Sequence, residues 1–166
     1  IGQQVWMNEN LNVDKFRNGE AILQAKTKKE WYAAYINKKP AWCYYYFDPA
    51  FGTKCGKLYN WYAVNDPRGL APEGWHIPSD DEWTRLNNNR GDDDIWNNES
   101  GPLDTGCCSR NGTFYGIGNC GYWCSSTELV TNIAWYRSLN YNNGNVYRGS
   151  DDKGKGLSVR CLRDSR

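Results

Sequence analysis

The residue types that carry out catalysis do not form a recognisable active-site motif in this sequence. The sequence has 166 residues and a single histidine, His76, which stands in the segment Gly-Trp-His-Ile-Pro-Ser. A Ser-His-Asp triad would need this histidine as its base. Its place in a turn that leads into a predicted helix favours a structural role instead. No glycine-rich phosphate-binding loop of either standard type is present. We therefore predict no catalytic residue and no cofactor.

The cysteines could bind a metal or form disulfides. Cys120 and Cys124 loosely have the spacing of a zinc-binding pair, but the residues between them are typical of a strand. Asp92-Asp93-Asp94 lacks the alternating ligands of a calcium loop, so we predict no metal site. An odd, high count favours an oxidising or surface environment with one to three disulfides, the alternative being buried free thiols. The chain has seven: Cys43, Cys55, Cys107, Cys108, Cys120, Cys124 and Cys161.

The residues best suited to recognition lie in the C-terminal third. Between Tyr122 and Arg160 the chain is dense in Tyr, Asn, Ser, Arg and Trp, a composition that resembles an antibody paratope. An ordinary polar sheet surface is the alternative. We predict that eight residues are presented on one face, with Tyr and Arg as the anchors: Arg137, Asn140, Tyr141, Asn142, Tyr147, Arg148, Ser150 and Asp151.

Two helices are predicted from capping boxes of the S/T-x-x-E type. Thr27-Lys-Lys-Glu30 precedes apolar residues at helical spacing, which predicts a helix over about 28–37. Ser79-Asp-Asp-Glu82 predicts a second helix over about 80–89.

Strands are predicted before, between and after these helices. We expect a strand within the first dozen residues, an aromatic strand over 42–47 and an apolar segment over 58–64. Residues 87–109 are polar and predict an exposed loop. Five short strands follow, over 113–117, 121–125, 133–140, 144–149 and 156–162, and Asn143-Gly144 predicts a hairpin turn. This order predicts a single α+β domain over 1–166, with the helices separate from a strand-rich C-terminal half.

Composition excludes several classes of protein. The net charge is +1 and the mean hydropathy is −0.85, so the chain has neither the basic excess of a nucleic-acid-binding domain nor a run long enough for a membrane span. Aliphatic residues are sparse. Nine Trp and 12 Tyr predict a core built from aromatic rings whose polar tips need partners.

Seven segments in series resemble the Fibrobacter succinogenes major paralogous domain family. The order of the segments matches the family along the whole chain. They are residues 4–11 (QVWMNENL), 56–66 (GKLYNWYAVND), 74–83 (GWHIPSDDEW), 111–115 (NGTFY), 123–128 (WCSSTE), 134–137 (AWYR) and 157–161 (LSVRC).

The resemblance implies a C-type-lectin-like fold related to that of the formylglycine-generating enzyme. Two helices would flank a small, mixed, mostly antiparallel sheet, with the two chain ends close together. Four tryptophans would belong to the scaffold: Trp75, Trp83, Trp123 and Trp135. Cys43 and Cys161 stand where the family commonly has cysteine, so a disulfide between them is expected, and it could contribute about 4 kcal/mol of stability.

Apart from Cys55, which replaces a family aromatic residue, the departures from the family lie in the C-terminal part. The segment after the second helix is shortened, and residues 103–108 read Leu-Asp-Thr-Gly-Cys-Cys where Leu-Pro-Gly-Gly-Tyr-Arg is usual. C-type-lectin-like domains are the usual targets of diversity-generating retroelements, which replace residues at adenine-containing codons. We therefore expect a variable, ligand-binding part over about 104–155. Its binding residues would also include Thr105, Cys107, Cys108, Cys120 and Cys124.

The resemblance implies a function in recognition. We expect a non-catalytic domain on an extracellular, cell or virion surface that binds a protein or glycan ligand, without nucleic acid and without membrane insertion. A fixed structural or interaction domain of a larger surface protein is the alternative. An oxidase like the formylglycine-generating enzyme would need a copper-binding cysteine pair, for which only Cys120 and Cys124 are suggestive.

Overall fold

A computed structural model describes most of the chain. It covers residues 4–88, 97–98, 101–102, 107–108, 110–142 and 146–165; for 97–98, 101–102 and 107–108 it describes the backbone alone, and the side chain of Lys54 is not included. Several predictions lie outside these residues: Thr105, the Asn143-Gly144 turn, most of the loop 87–109 and the side chains of Cys107 and Cys108.

Both predicted helices are confirmed, and both begin at their capping boxes. At α1 (Lys28–Ile36) the Thr27 hydroxyl accepts the Glu30 amide (3.2 Å). At α4 (Asp80–Asn88) the Glu82 carboxylate accepts the Ser79 amide (2.8 Å). Among the described residues, no helix is long and apolar enough to cross a membrane. The helices are α1 (Lys28–Ile36), α2 (Gly52–Cys55), α3 (Trp61–Val64) and α4 (Asp80–Asn88).

The strands form several small sheets, which confirms the α+β class. β1 (Leu23–Gln24), β2 (Ala41–Cys43) and β3 (Leu58–Tyr59) form one sheet, in which β1 and β2 are parallel. β9 (Cys120–Val130), β10 (Ile133–Asn140) and β11 (Val146–Asp152) form the largest sheet, which is antiparallel. Three two-stranded pairs, β4 with β12, β5 with β6 and β7 with β8, are also antiparallel. The strands are β1 (Leu23–Gln24), β2 (Ala41–Cys43), β3 (Leu58–Tyr59), β4 (Trp75–His76), β5 (Asn97–Asn98), β6 (Gly101–Pro102), β7 (Cys107–Cys108), β8 (Phe114–Tyr115), β9 (Cys120–Val130), β10 (Ile133–Asn140), β11 (Val146–Asp152) and β12 (Leu162–Arg163).

The aromatic run over 42–47 is not one strand, so that prediction is wrong. β2 ends at Cys43, and a 3₁₀ turn follows over Tyr45–Phe47. Tyr46 and Phe47 have φ angles of 55° and 58°, a conformation that no strand allows. The rings of this turn pack around Phe114, whose centroid lies 4.9 Å from that of Phe47. Tertiary ring packing therefore overrides the local preference for a strand.

The two ends of the described chain lie side by side, as predicted. Trp6 forms an antiparallel bridge with Leu162, and the Arg163 amide donates to the Val5 carbonyl (2.9 Å). The strand predicted near the N-terminus is reduced to this bridge within residues 4–12. Residues 156–162 likewise form only single bridges before β12.

The tryptophans hold the core together. Trp83 and Trp123 are fully buried in one cluster with Trp6, Leu139 and others, which confirms their predicted scaffold role. Trp75 and Trp135 are half-buried.

The expected Cys43–Cys161 disulfide is not formed. On β2 successive side chains point to opposite sides. Trp42 packs in the same cluster as Cys161, whereas Cys43 packs in a second cluster with Cys55 and Leu58. Cys43 therefore faces away from Cys161, whose thiol is free.

One buried carboxylate joins α4 to the largest sheet. Asp80 at the start of α4 accepts hydrogen bonds from Arg137 Nη1 (2.5 Å) on β10 and from Arg148 Nη2 (2.6 Å) on β11. Arg137 also donates to the Asp80 carbonyl (3.0 Å) and to the Thr84 hydroxyl (2.9 Å). Burial raises the pKa of Asp80, but the two guanidinium groups outweigh it, and the pKa lies below its usual value.

We predict that Asp80→Asn lowers the free energy of unfolding by about 3 to 5 kcal/mol, because it leaves the buried Arg137 guanidinium without a counter-charge. Urea denaturation measures this change. Asp81→Asn is the matched control, since Asp81 is the next residue of the same helix and is exposed. Equal effects of the two substitutions would contradict the role given to Asp80.

Candidate ligand-binding surface on the C-terminal sheet

The two sides of the largest sheet have different surroundings. The register pairs Arg137 with Trp123 on β9 and with Arg148 on β11, so these three side chains share one side. This side packs against α4, and we call it the helix-facing side. The neighbouring pairs place Tyr122, Tyr136, Ser138 and Tyr147 on the other side.

The prediction that eight recognition residues share one face is therefore wrong. Arg137, Arg148 and Ser150 lie on the helix-facing side, whereas Tyr147 and Asp151 lie on the other. The physical reason is the two-residue period of a strand, which sends adjacent residues to opposite sides.

Arg137 and Arg148 belong to the framework that holds α4. Arg137 is 1% exposed, so it cannot contact a ligand. Arg148 is exposed, but its guanidinium is bonded to Asp80 and lies 3.5 Å from the centre of the Trp135 ring. Substitution of either arginine would therefore weaken the packing of α4 on the sheet, in addition to any effect on a binding surface.

The asparagines and Tyr141 lie at the hairpin end of β10. The Asn140 side chain accepts the Asn142 amide (2.9 Å) and so closes the end of the strand. Asn142 is exposed, and Tyr141 is half-buried against the cluster around Trp123.

The side opposite α4 carries a row of tyrosine rings. The centroid of Tyr122 lies 6.0 Å from that of Tyr115 and 6.3 Å from that of Tyr136. Tyr147 is paired with Ser138, one position along the sheet from Tyr136. Tyr115 and Tyr147 are 39% and 49% exposed. We call these four tyrosines, together with Asp151 and Lys155, the tyrosine face.

The buried Lys155 side chain lies under the tyrosine face and contacts three of its rings. It is 5% exposed, and its Nζ lies 4.6, 5.2 and 5.6 Å from the ring centres of Tyr136, Tyr115 and Tyr122. Nζ also donates to Asp151 Oδ2 (2.8 Å). A cation held over ring faces away from water interacts with them strongly, so a single ammonium group fixes three rings.

The ion pair with Lys155 also favours the charged form of Asp151. Burial raises its pKa, but the Lys155 ammonium and the Asp152 amide hold the pKa below its usual value. Asp151 is therefore an anion at neutral pH, with 46% of its side chain exposed.

Two glycines allow the rings to lie flat on the backbone. A Cβ on Gly149 would come within 2.5 Å of the Tyr136 ring, and one on Gly116 within 2.4 Å of the Tyr122 ring. Both distances are shorter than any ordinary contact. Any side chain at these positions would displace the tyrosine above it.

Of the cysteines predicted to bind, the two whose side chains are described, Cys120 and Cys124, do not form a site together. Cys124 is buried, and burial raises the pKa of its thiol. Cys120 is half-buried four residues earlier on the same strand, which separates the two by about 13 Å. The two thiols are too far apart to bind one copper ion, so this pair cannot supply the copper site that the oxidase alternative requires. Within the described residues no group of three His, Cys, Asp or Glu could hold a metal ion.

His76 belongs to a separate charge cluster with Asp164 and Glu82. Its Nδ1 lies 2.7 Å from Asp164 and its Nε2 lies 2.9 Å from Glu82. Burial lowers the pKa of His76, but the two carboxylates outweigh it and raise the pKa. The imidazole thus connects the C-terminal segment to α4.

Sequence reasoning found part of this surface. Tyr147 and Asp151 were predicted, whereas Ser150 is exposed on the helix-facing side. Tyr115, Tyr122, Tyr136 and Lys155 were missed. The alternation Tyr-x-Cys over 122–124 and Tyr-x-Ser over 136–138 could have indicated one side of a sheet. Nothing in the sequence places Lys155 beneath the rings.

In comparisons with known proteins, the model of one family matches the chain. The model of the Fibrobacter succinogenes major domain matches residues 1–102, which is more than half of the chain. No curated protein and no solved structure gives a significant match. The matched segment contains all four helices and ends before the strands that carry the tyrosine face.

We predict that Lys155→Met lowers the free energy of unfolding by about 2 kcal/mol, because it keeps the length of the side chain but removes the buried cation from three rings. Chemical denaturation measures the loss. Lys29→Met on the exposed side of α1 is the control, with an expected change within about 0.5 kcal/mol. No difference between the two would contradict the role of the ammonium group.

We also predict that His76 makes stability depend on pH. Because its folded pKa is raised above the ordinary value near 6.5, its contribution is fully present below about pH 6.5 and is lost as pH rises through the folded pKa. The difference in unfolding free energy between the natural chain and His76→Gln should therefore be larger at pH 6 than at pH 9. A larger difference at pH 9 would reverse the sign and contradict the assignment.

Proposed function

The chain belongs to the Fibrobacter succinogenes major domain family, and we propose that it is a non-catalytic ligand-binding domain whose tyrosine face contacts the ligand. The observation that carries this proposal is the row of partly exposed tyrosines, three of which are in contact with the Lys155 ammonium group. Tyrosine supplies a large amphipathic contact area at low entropic cost. Rings that are already fixed lose little further freedom on binding.

The surroundings of the tyrosine face support recognition over catalysis. The single histidine is held between two carboxylates at another part of the molecule. The two cysteines of the copper alternative lie far apart on one strand. The titratable groups of the tyrosine face, Asp151 and Lys155, are paired with each other.

We propose further that the fold is a C-type-lectin-like arrangement and that the domain works outside the cell, on a cell or virion surface. Two nine-residue helices, a mostly antiparallel sheet and adjacent chain ends support the fold proposal. A protein or glycan on another surface would be the partner.

The segment 104–155 is, in this proposal, the diversified part of a diversity-generating retroelement protein. The two sides of the sheet suit such a use, since Trp123 and Arg137 hold the framework while Ser138 and Tyr147 point the other way. Substitution on the tyrosine face would then alter the ligand without altering the docking of α4.

Binding by tyrosine variants tests the proposed surface. Fluorescently labelled domain is applied to a glycan array, to an array of bacterial surface proteins and to whole bacterial cells. We expect Tyr147→Ala to weaken binding about tenfold or more, with the melting temperature almost unchanged. Tyr32→Ala is the matched control, because Tyr32 on α1 is similarly exposed (46%). Equal binding by both variants, or no binding by the natural domain, would refute the proposal.

The retroelement proposal has its own test in the DNA. The locus downstream of the codons for 122–166 is sequenced and searched for a near-identical repeat beside a reverse transcriptase gene. Mismatches at adenines, in codons for residues such as Tyr147, are the expected result. Absence of such a repeat would leave a fixed interaction domain.

A further inference from the structure

A cavity of about 690 Å³ adjoins the tyrosine face. It lies between the turn over 110–113 and the end of β11, and the half-exposed ring of Tyr115 belongs to both the cavity and the tyrosine face. This volume is within the range of small-molecule sites.

The charges that line the cavity cancel one another. Lys155 is paired with Asp151 at 2.8 Å, and Arg110 is paired with Asp152 at 3.0 Å. Among the described residues that line the cavity, two cations and two carboxylates leave no net charge. A charged ligand would therefore compete with an existing ion pair, whereas a neutral ligand would not.

The same lining combines a ring with many hydrogen-bonding groups. Tyr115 offers an apolar surface, and the partly exposed Asp151 carboxylate accepts hydrogen bonds. Asn111 and Thr113, both exposed, add an amide and a hydroxyl group. A sugar ring has the complementary chemistry, because its C–H groups pack on aromatic rings and its hydroxyls both donate and accept.

The cavity is held open by the fold. Gly112 in the turn has a φ of 80°, and a Cβ there would come within 2.8 Å of Lys28, so the turn lies directly against the start of α1. On the other wall, the Tyr35 hydroxyl donates to Asp152 (3.0 Å). A site fixed on both walls costs little ordering when a ligand enters.

We propose that this cavity binds one pyranose ring of a neutral glycan, with the sugar packed on Tyr115 and its hydroxyls bonded to Asp151 and Asn111. The inference rests on the proposed ligand-binding function and names its ligand class.

Saturation-transfer NMR with methyl glycosides tests this inference. The probes are the methyl glycosides of glucose, galactose, mannose and N-acetylglucosamine at millimolar concentration. We expect transfer to at least one probe, an affinity at least tenfold weaker in Tyr115→Ala, and unchanged binding in Tyr32→Ala. The affinity should change less than twofold between 50 and 500 mM NaCl, because a neutral ligand is not subject to charge screening. If Tyr115→Ala fails to fold, Asn111→Ala takes its place.

The other outcomes overturn the inference. Absence of transfer to all four probes refutes the sugar site; so does transfer that is unaffected by Tyr115→Ala and Asn111→Ala. Stronger, salt-sensitive binding of methyl glucuronide would show a site for anions instead. If the glycosides fail while Tyr147→Ala still reduces binding to a protein on the array, the proposed recognition function stands and only the glycan assignment fails.

Discussion

The candidate surface depends on one buried ammonium group. Lys155 lies beneath three tyrosine rings and forms an ion pair with Asp151. Without this cation the rings would have no common anchor, and Asp151 would lose its partner. The position of Lys155 in turn requires Tyr136 and Tyr122 to share one side of β9 and β10, which the antiparallel register secures.

Two other buried lysines in the core also place their ammonium groups over aromatic rings. Lys57 lies 4.7 Å from the centre of the Trp42 ring, and Lys153 lies 4.2 Å from that of Trp61. Both lysines are buried, and both donate to main-chain carbonyl oxygens as well. A chain with few aliphatic residues thus builds its interior from aromatic rings and uses lysine stems and charges to fill and fix them. The physical cost of burying a charge is offset by ring faces and carbonyls rather than by carboxylates alone.

Local chemistry predicted the helices, whereas long-range contacts decided the rest. The capping boxes predicted α1 and α4 because their hydrogen bonds join residues three apart. The run 42–47 could not be read correctly, because rings distant in sequence impose its turn. At the site, composition indicated Tyr147 and Asp151, but it also suggested Arg137, which is buried. Which side of a strand faces α4 depends on register, and the position of Lys155 depends on the path of the chain after β11; neither can be read from a single sequence.

The central claim is that the residues of β10 and β11 that hold α4 lie on one side of the sheet, whereas Ser138 and Tyr147, which are available to a ligand, lie on the other. Saturation mutagenesis of β10 and β11 tests this claim directly. The library of variants is sorted once for resistance to protease, which reports folding, and once for staining of cells that the natural domain binds, which reports binding. The account predicts alternation: substitutions at Arg137 and Leu139 abolish folding, whereas those at Ser138 and Tyr147 preserve folding and alter binding. If losses of folding and of binding fall on the same positions, with no alternation along the strands, the claim is contradicted.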